Sequence, residues 1–224
     1  MKFRTNEDYK NWISSQDWYQ TINLPSGIDI NGKFSTDKRI DYLEKFDFHN
    51  KSVLDIGCNS GQYCIFAKNN KASEVYGVDI SSKRINQAKI LAENENLQIN
   101  YFNEDIIKFS KNINRKFDYI FCFAVLTEIK DIITVLEIIK KNMTHHAILE
   151  MGISKPFIYL PFNLKSLFNL IKHKKYTAEI NYHKHAGWVF HPSISFIKNF
   201  FGTNYNIKFL NRGIRYDLIL IKKI

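Results

Sequence analysis

The stretch VLDIGCNSG, from Val53 to Gly61, constrains this chain more than any other. Val53, Leu54 and Ile56 form a short apolar run broken by one acid, Asp55, and the run stops at a loop holding Gly57 and Gly61. A buried strand, a glycine loop and then GQYCIFAKNN, which reads as the first turns of a helix, make the opening unit of a parallel α/β sheet. Sheets of this kind bind ligands outside the carboxyl ends of their strands, so Asp55 is delivered where a ligand sits. The two glycines let the backbone turn tightly and approach that ligand closely.

The rest of the middle of the chain keeps the alternation. A first strand over Ser52 to Ile56 leads to a helix starting at Gly61 or Gln62. A second strand, Glu74 to Val78, ends in Asp79, and Ser81 is placed to cap a helix over Ser82 to Asn94. A third strand over Leu97 to Phe102 precedes Asn103-Glu104-Asp105, a fourth spans Phe117 to Phe123, a helix runs from Ile129 to Lys140, and a fifth strand covers Ala147 to Met151. Four acids, Asp55, Asp79, Asp105 and Glu150, fall at or near strand ends.

Spacing narrows the ligand. Asp79 stands 22 residues beyond Gly57, where a carboxylate can accept from a ribose diol, which suits NAD and S-adenosyl-L-methionine equally. A dinucleotide fingerprint also needs a third glycine for close helix packing, and Cys64 stands there instead. A pyrophosphate gains nothing from Asp55 at the mouth of the loop. A sulfonium bearing an α-ammonium does.

VLDIGCNSG, followed by EVYGVDIS and NEDI, resembles the class I S-adenosylmethionine-dependent methyltransferases over about residues 50 to 151. The resemblance implies a Rossmann-like, seven-stranded, mostly parallel sheet with an antiparallel last strand. Tyr205 to Leu210 and Ile214 to Ile221 are the candidates for the last two strands, joined by Asn211-Arg212-Gly213. It further implies S-adenosyl-L-methionine as cofactor. Asp55, Gly57 and Gly61 would hold the methionine half, with Cys58 and Asn59 in the same loop. Asp79 would take the ribose with Ile80 beside it, Asp105 the adenine amine with Ile106 against the base, and Phe121 to Phe123 would flank the methyl-transfer site.

The chain ahead of this core divides into a helix within residues 6 to 20, two short extended pieces around Ile22 to Ile30, and a second helix over Thr36 to Phe46. WYQTINLPSGIDING resembles the corresponding segment of methyltransferases related to the tRNA wobble-uridine carboxymethyl-transfer enzymes, with Gln20 in place of His and Asn31 in place of Thr. By that resemblance the segment folds over the cofactor, with Trp18, Tyr19 and Gln20 near it. Simple packing accounts equally well for Trp18 and Tyr19. The organisation expected is one domain: an N-terminal segment over 1–50 packed on a methyltransferase domain over 51–224, with a cap inserted at about 152–190.

Transfer from a sulfonium requires alignment of the acceptor, exclusion of water and, for a hydroxyl acceptor, removal of a proton. The loop FCFAVLTEIKD lacks the Asn/Asp-Pro-Pro-Tyr/Phe signature of many amino-methylating enzymes, which argues against base amines as acceptors. Glu128 is a candidate polar group there, or else an acid favoured by a helix N-terminus. In the insertion a Pro-bounded apolar stretch, read as helical from Asn163, gives way to basic and aromatic residues. His183 and His185 are the candidate general bases, and Tyr182 and Lys184 candidate acceptor contacts. A metal site is disfavoured, because Glu179 is the one acid in that histidine cluster. HPSISFIKNFFG reads as a short helix beginning at Pro192 and ended by Gly202. Arg212 and Arg215 bracket the terminal turn, placed for phosphate or merely flanking it.

Charge is split unevenly. Residues 1–150 carry 20 Lys and Arg against 20 Asp and Glu, whereas residues 151–224 carry 12 against 2, so the +10 of the chain belongs to its last third. This suits an anionic partner, or equally a lysine-rich solvated face. Three odd cysteines without paired spacing, no apolar run of transmembrane length and no hydrophobic leader predict a cytoplasmic protein without a membrane span. Three functions fit: O-methylation of an anionic small molecule such as a sugar phosphate or nucleotide-linked group, methylation of tRNA, and non-catalytic nucleoside binding. The sequence favours the first.

Overall fold

The computed structural model describes residues 1–153, 178–183, 187–212 and 216–224. In chain order the elements are α1 (Asn6–Ser15), β1 (Ile22–Asn23), β2 (Asp29–Ile30), α2 (Asp37–Leu43), β3 (Ser52–Ile56), α3 (Gln62–Asn69), β4 (Glu74–Asp79), α4 (Ser82–Asn94), β5 (Asn100–Asn103) and α5 (Ile106–Asn112). They continue with β6 (Phe117–Phe123), α6 (Ile132–Asn142), β7 (Met143–Met151), β8 (Ala178–His183), β9 (Gly187–Pro192), α7 (Ile194–Phe201), β10 (Tyr205–Arg212) and β11 (Asp217–Lys223). Seven strands form one mixed sheet in the order β10-β11-β7-β6-β3-β4-β5. Neighbours β3, β4 and β5 run parallel, while β11 lies between β7 and β10 and antiparallel to both. This is the Rossmann-like arrangement with an antiparallel last strand that the sequence predicts. The chain groups into two compact units, 1–121 and 122–224.

In the first unit the sequence pattern explains the sheet directly. β3 is an interior strand, flanked by β6 and β4, and Val53, Leu54, Asp55 and Ile56 are all buried, which is why its run is apolar on both faces apart from one acid. Register aligns Asp55 with Gly77 and Gly77 with Tyr101 in one row across β3, β4 and β5. Gly77 cannot carry a side chain, because a Cβ there would lie 2.8 Å from the Tyr101 ring and 2.9 Å from Cys58 Sγ. Beside β3, the Phe48 ring is wedged among Phe66, Tyr119 and Phe121.

The N-terminal segment forms its own apolar layer on this unit. Tyr9, Ile13, Trp18, Ile22, Leu24 and Ile30 are buried together with Ile65 of α3 and Leu91 of α4. Each such side chain contributes roughly 1.5–3 kcal/mol by leaving water. Polar ties fix the layer: the Phe3 amide donates to Asn94 Oδ1 at 2.9 Å, and Glu95 accepts from Ser26 N at 2.9 Å and Ser26 Oγ at 2.8 Å. α1 ends at Ser15, before the tryptophan of the WYQ run, so Trp18, Tyr19 and Gln20 lie in the chain that follows rather than on the helix.

Helix starts follow their caps. Ser81 accepts from Arg84 N, Asp105 from Ile107 N, Asp131 from Thr134 N, and Ser193 from Phe196 N. Several boundaries move for that reason. The helix read from Ile129 begins at Ile132 because Asp131 caps it, and the helix read from Pro192 begins at Ile194 because Ser193 caps it; Pro192 closes β9 instead. The third strand starts at Asn100 rather than Leu97, and β7 reaches back to Met143. The last strand begins at Asp217, and β10 runs on through Arg212 past a register shift between Phe209 and Asn211. Within the second unit α6 buries Ile132, Val135, Leu136 and Ile139, and α7 buries Ile197 and Phe201. No helix among the described residues is long and apolar enough to cross a membrane.

The N-terminal segment is closed on itself by Gly32, whose hypothetical Cβ would fall 2.1 Å from the Gln20 carbonyl carbon. That neighbour is backbone and cannot swing away. Gly32→Ala is expected to destabilise the protein by about 1–3 kcal/mol, read as a lower urea midpoint at unchanged slope.

Candidate functional site

The loop between β3 and α3 is built from backbone hydrogen bonds and two glycines. Gly57 and Cys58 both donate to the Val78 carbonyl, at 2.8 and 3.1 Å, which seats the loop on the end of β4. Gly57 and Gly61 have φ of 72° and 90°, values that side chains disfavour, and a Cβ on Gly61 would strike the Tyr101 hydroxyl at 2.3 Å. Asn59 also takes a positive φ, and its side-chain oxygen accepts from the Ser60 amide at 2.8 Å. Asp79 joins the two strand ends: Oδ2 accepts from Asn59 N at 2.9 Å and Oδ1 from Ser81 N at 2.8 Å. Its carboxylate is therefore oriented before any ligand arrives, with lone pairs left over on both oxygens. Ile80, the next residue, is 74% exposed, an apolar side chain held out beside the acid.

Asp55 is the buried member. Its carboxyl is 1% exposed and accepts from Cys64 Sγ at 3.5 Å. Burial raises its pKa to about 7; the Cys64 thiol offsets part of that, the Asp79 charge adds to it, and the Arg39 charge opposes it. Burial likewise pushes Cys58, Cys64 and Tyr101 up, so thiols and phenol stay neutral and serve as packing beneath the loop. All three cysteines are buried thiols outside any disulfide.

The N-terminal segment is tied to this loop on both sides of Trp18-Tyr19-Gln20. Ahead of it, the Asp17 carbonyl accepts from Arg84 Nη1 at 2.7 Å and Gln87 Nε2 at 3.1 Å, and Gln87 Oε1 in turn accepts from Ser60 Oγ at 2.9 Å. Behind it, Gln62 Oε1 accepts from Asn23 N at 2.9 Å. Trp18 is buried with its indole N–H donating to the Ile13 carbonyl at 2.8 Å, a packing placement. Tyr19 stays 46% exposed against the Phe34 ring at 4.8 Å. Gln20 is buried, and its Nε2 has no partner among the described residues, which costs about 1–3 kcal/mol until an acceptor is supplied.

Asp105 uses Oδ1 to cap α5, accepting from Ile107 N at 2.8 Å, and Ile106 is buried at the first helical position. Phe121 is fully buried against Phe48 in the core of the first unit. In the second unit Phe123 is buried at the end of β6. Glu128 is exposed in a turn three residues ahead of the Asp131 cap of α6, outside the helix itself. His183 ends β8 opposite Gly187, with Tyr182 opposite Trp188. Arg212 belongs to β10 and stacks its guanidinium 4.2 Å from the Phe209 ring centroid, a strand residue rather than a turn residue. Lys184, His185, Arg215 and the helix read from Asn163 lie outside the described residues. The sequence reading overlooked Asp17, Arg39, Gln62 and Gln87. Arg39, Gln62 and Gln87 sit on helices and Asp17 in the chain after α1, and nothing in their spacing announces the partners they meet.

The donor set fits an adenosine carrying a cationic amino-acid end. An oriented carboxylate suits a ribose diol, an exposed apolar residue beside it suits a base, and a buried acid suits a cation. A pyrophosphate meets acids on both sides and no third glycine.

Comparison with known proteins gives the same direction. A family described as "Methyltransferase domain" matches residues 47–186. The chain is 37% identical over 112 residues to a ribosomal protein L11 methyltransferase of Fusobacterium nucleatum, covering 47% of this chain and 33% of that protein. It is 34% identical over 119 residues to a ubiquinone biosynthesis O-methyltransferase of Coxiella burnetii, covering 52% and 48%. The chain thus spans between a third and a half of the length of these curated relatives. Among solved structures, the N-terminal domain of EvdMO1 with SAH bound superposes with a TM-score of 0.69 at 10% identity, over 99% of this chain and 98% of that one. Magnesium protoporphyrin IX methyltransferase from Synechocystis PCC 6803 with bound SAH gives 0.57 at 17%, over 84% and 81%. At these identities the structures testify to the fold.

Asp55 makes stability depend on pH in a definite direction. Below about pH 4 it is protonated folded and unfolded; between there and about 7 the folded protein keeps a proton the unfolded chain releases. Stability should therefore fall as pH rises through that window and level off above it, a change on the order of 4 kcal/mol at about 1.4 kcal/mol per pH unit. Asp55→Asn should flatten that dependence and raise the thermal midpoint of the ligand-free protein at pH 8, measured by calorimetry.

Proposed function

This chain belongs to the methyltransferase domain family, and we propose that it transfers a methyl group from S-adenosyl-L-methionine to an oxygen of an anionic small molecule. One observation carries the donor half of this reading: Asp79, held through both its oxygens by Asn59 N and Ser81 N, closes a loop whose other acid is the buried Asp55. Asp79 accepts from the ribose hydroxyls, Ile80 and Ile106 flank the base, and the second oxygen of Asp105 accepts from the exocyclic amine. Gly57, Cys58, Asn59 and Gly61 bring backbone close to the amino-acid end, and Asp55 balances its ammonium. When bound, the cofactor supplies a methyl already activated on sulfur. The protein's own work is then alignment, exclusion of water and proton removal. Phe121 and Phe123, from β6, provide apolar walls.

The acceptor half is argued from charge. The curated relatives bear names for two unlike processes, a ribosomal protein and ubiquinone biosynthesis, so acceptor class does not carry over from them. The 12 Lys and Arg against 2 acids in residues 151–224 favour an anion. His183 or His185 is the proposed base, with Glu128 as the other candidate, and Tyr182, Lys184, Arg212 and Arg215 the proposed acceptor contacts. The same +10 charge supports a second reading, methylation of tRNA. A tRNA complex would lose affinity steeply with salt as phosphate contacts release counterions, whereas a small phosphorylated acceptor would show a shallow dependence.

Asp79→Ala should weaken S-adenosylhomocysteine binding at least about tenfold, the equivalent of one lost charge-assisted pair, and thermal unfolding should show a variant that is still folded though destabilised by the loss of its bonds to Asn59 N and Ser81 N. Calorimetric affinity within twofold of wild type would remove Asp79 from the ribose role. Methyl incorporation across phosphorylated sugars, nucleotide-sugars and bulk tRNA then separates the two acceptors, with label expected in the phosphorylated small molecules.

A further inference from the structure

The second unit gathers cations on one face of its sheet. Strand register places His146 of β7 opposite Lys222 of β11, and Lys222 opposite Asn206 of β10; the next row on the same side holds Ile148, Leu220 and Lys208. Directly opposed residues share a face, as do residues two apart along a strand, so His146, Lys222, Asn206 and Lys208 stand together. Lys222, Asn206 and Lys208 are exposed and His146 is half-buried. Lys222 and Lys208 are diagonal neighbours, about 7–8 Å apart at the backbone.

This arrangement works against the free protein. Like charges placed directly opposite destabilise a strand pair. Burial, then the Lys222 charge, then the His145 charge hold the His146 ring below its ordinary pKa, and no acid among the described residues opposes them. Neither Lys208 nor Lys222 makes an ion pair among the described residues. The acid on this face, Glu150, lies four residues along β7 from His146, roughly 13 Å away. A lysine on the edge strand β10 guards against addition of a further strand. That reason does not reach Lys222, since β11 lies between β7 and β10.

Cations held against one another call for an anion. These are spread over three strands instead of round one point, which matches charges repeated along a polymer better than a single phosphate. The Asn206 amide and the neutral His146 imidazole alternate with the lysines and can exchange hydrogen bonds with hydroxyls, which in a nucleic acid means the ribose 2′-OH. A lipid surface would be met by exposed apolar side chains beside the cations, whereas the apolar residues of these rows, Ile148 and Leu220, are buried and half-buried. We propose that this face binds RNA by its backbone, with Lys208 and Lys222 on phosphates and Asn206 and His146 on sugars. Such contacts position an RNA without reading its sequence. The surface goes beyond the methyl-donor site and does not depend on it.

The test is fluorescence anisotropy of the full chain with a labelled RNA hairpin, from about 50 to about 200 mM salt. Wild type should bind, with log affinity falling linearly against log salt. Lys208→Gln combined with Lys222→Gln should weaken binding at least about tenfold at the lowest salt and reduce the slope by about 1.5, the share of two phosphate contacts. Lys10→Gln combined with Lys111→Gln removes the same charge from exposed positions of the first unit and should change RNA affinity by less than about twofold. Thermal unfolding reports that each double variant is folded, and S-adenosylhomocysteine affinity should match wild type in both. Absence of RNA binding at low salt, equal losses in the two double variants, a DNA hairpin of the same sequence bound as tightly as the RNA, or capture by phosphatidylserine vesicles in preference to RNA overturns the proposal. Each of these leaves the methyl-donor reading in place, which S-adenosylhomocysteine binding tests separately.

Discussion

A carboxyl group sealed under a glycine loop is the constraint around which the first unit is arranged. Asp55 sits near the carboxyl end of the interior strand β3, in register with Gly77 and, through it, with Tyr101. Keeping an acid there works against folding, since its charged form is stripped of water. The surroundings accommodate it in an ordered way: Gly77 gives up its side chain so that Tyr101 and Cys58 can fill the layer, Cys64 donates a weak hydrogen bond, and Arg39 supplies a compensating charge. An acid kept buried at such a cost to the free protein marks a candidate functional group.

Around that acid, preorganisation is backbone work. The loop amides converge on Val78 and Asp79, and Asp79 in turn fixes the start of α4 through Ser81. The N-terminal segment is stitched to the same place through Asp17, Gln87 and Ser60 on one side and through Asn23 and Gln62 on the other. The cradle is therefore oriented without a ligand, so binding need not bear the cost of ordering it.

The sheet and the loop were legible because both are periodic or glycine-marked signals. Apolar runs holding or ending in an acid located β3 and β4, and Gly57 and Gly61 take the positive φ that a tight loop between β3 and α3 requires. Boundaries moved where a cap decided them, as at Asp131 and Ser193, because a single side chain's hydrogen bond outweighs a run's average composition. Arg39 and Gln87 were not legible at all. Their partners lie 24 and 70 residues away in sequence, on other elements, and helix periodicity marks such positions simply as polar. Trp18 shows the converse: an aromatic pair at a suggestive place, one ring of which is committed to the core through Ile13. The last third announces its charge without announcing its geometry, since charge is compositional and a contact is not.

The central claim is that this loop is a cradle for an adenosine with an amino-acid end and not for a dinucleotide. Titration of the purified chain with S-adenosylhomocysteine and, separately, with NAD tests it most directly. The account predicts one S-adenosylhomocysteine per chain with micromolar or tighter affinity and no heat attributable to NAD. Binding of NAD in preference to S-adenosylhomocysteine, or of neither, would contradict it.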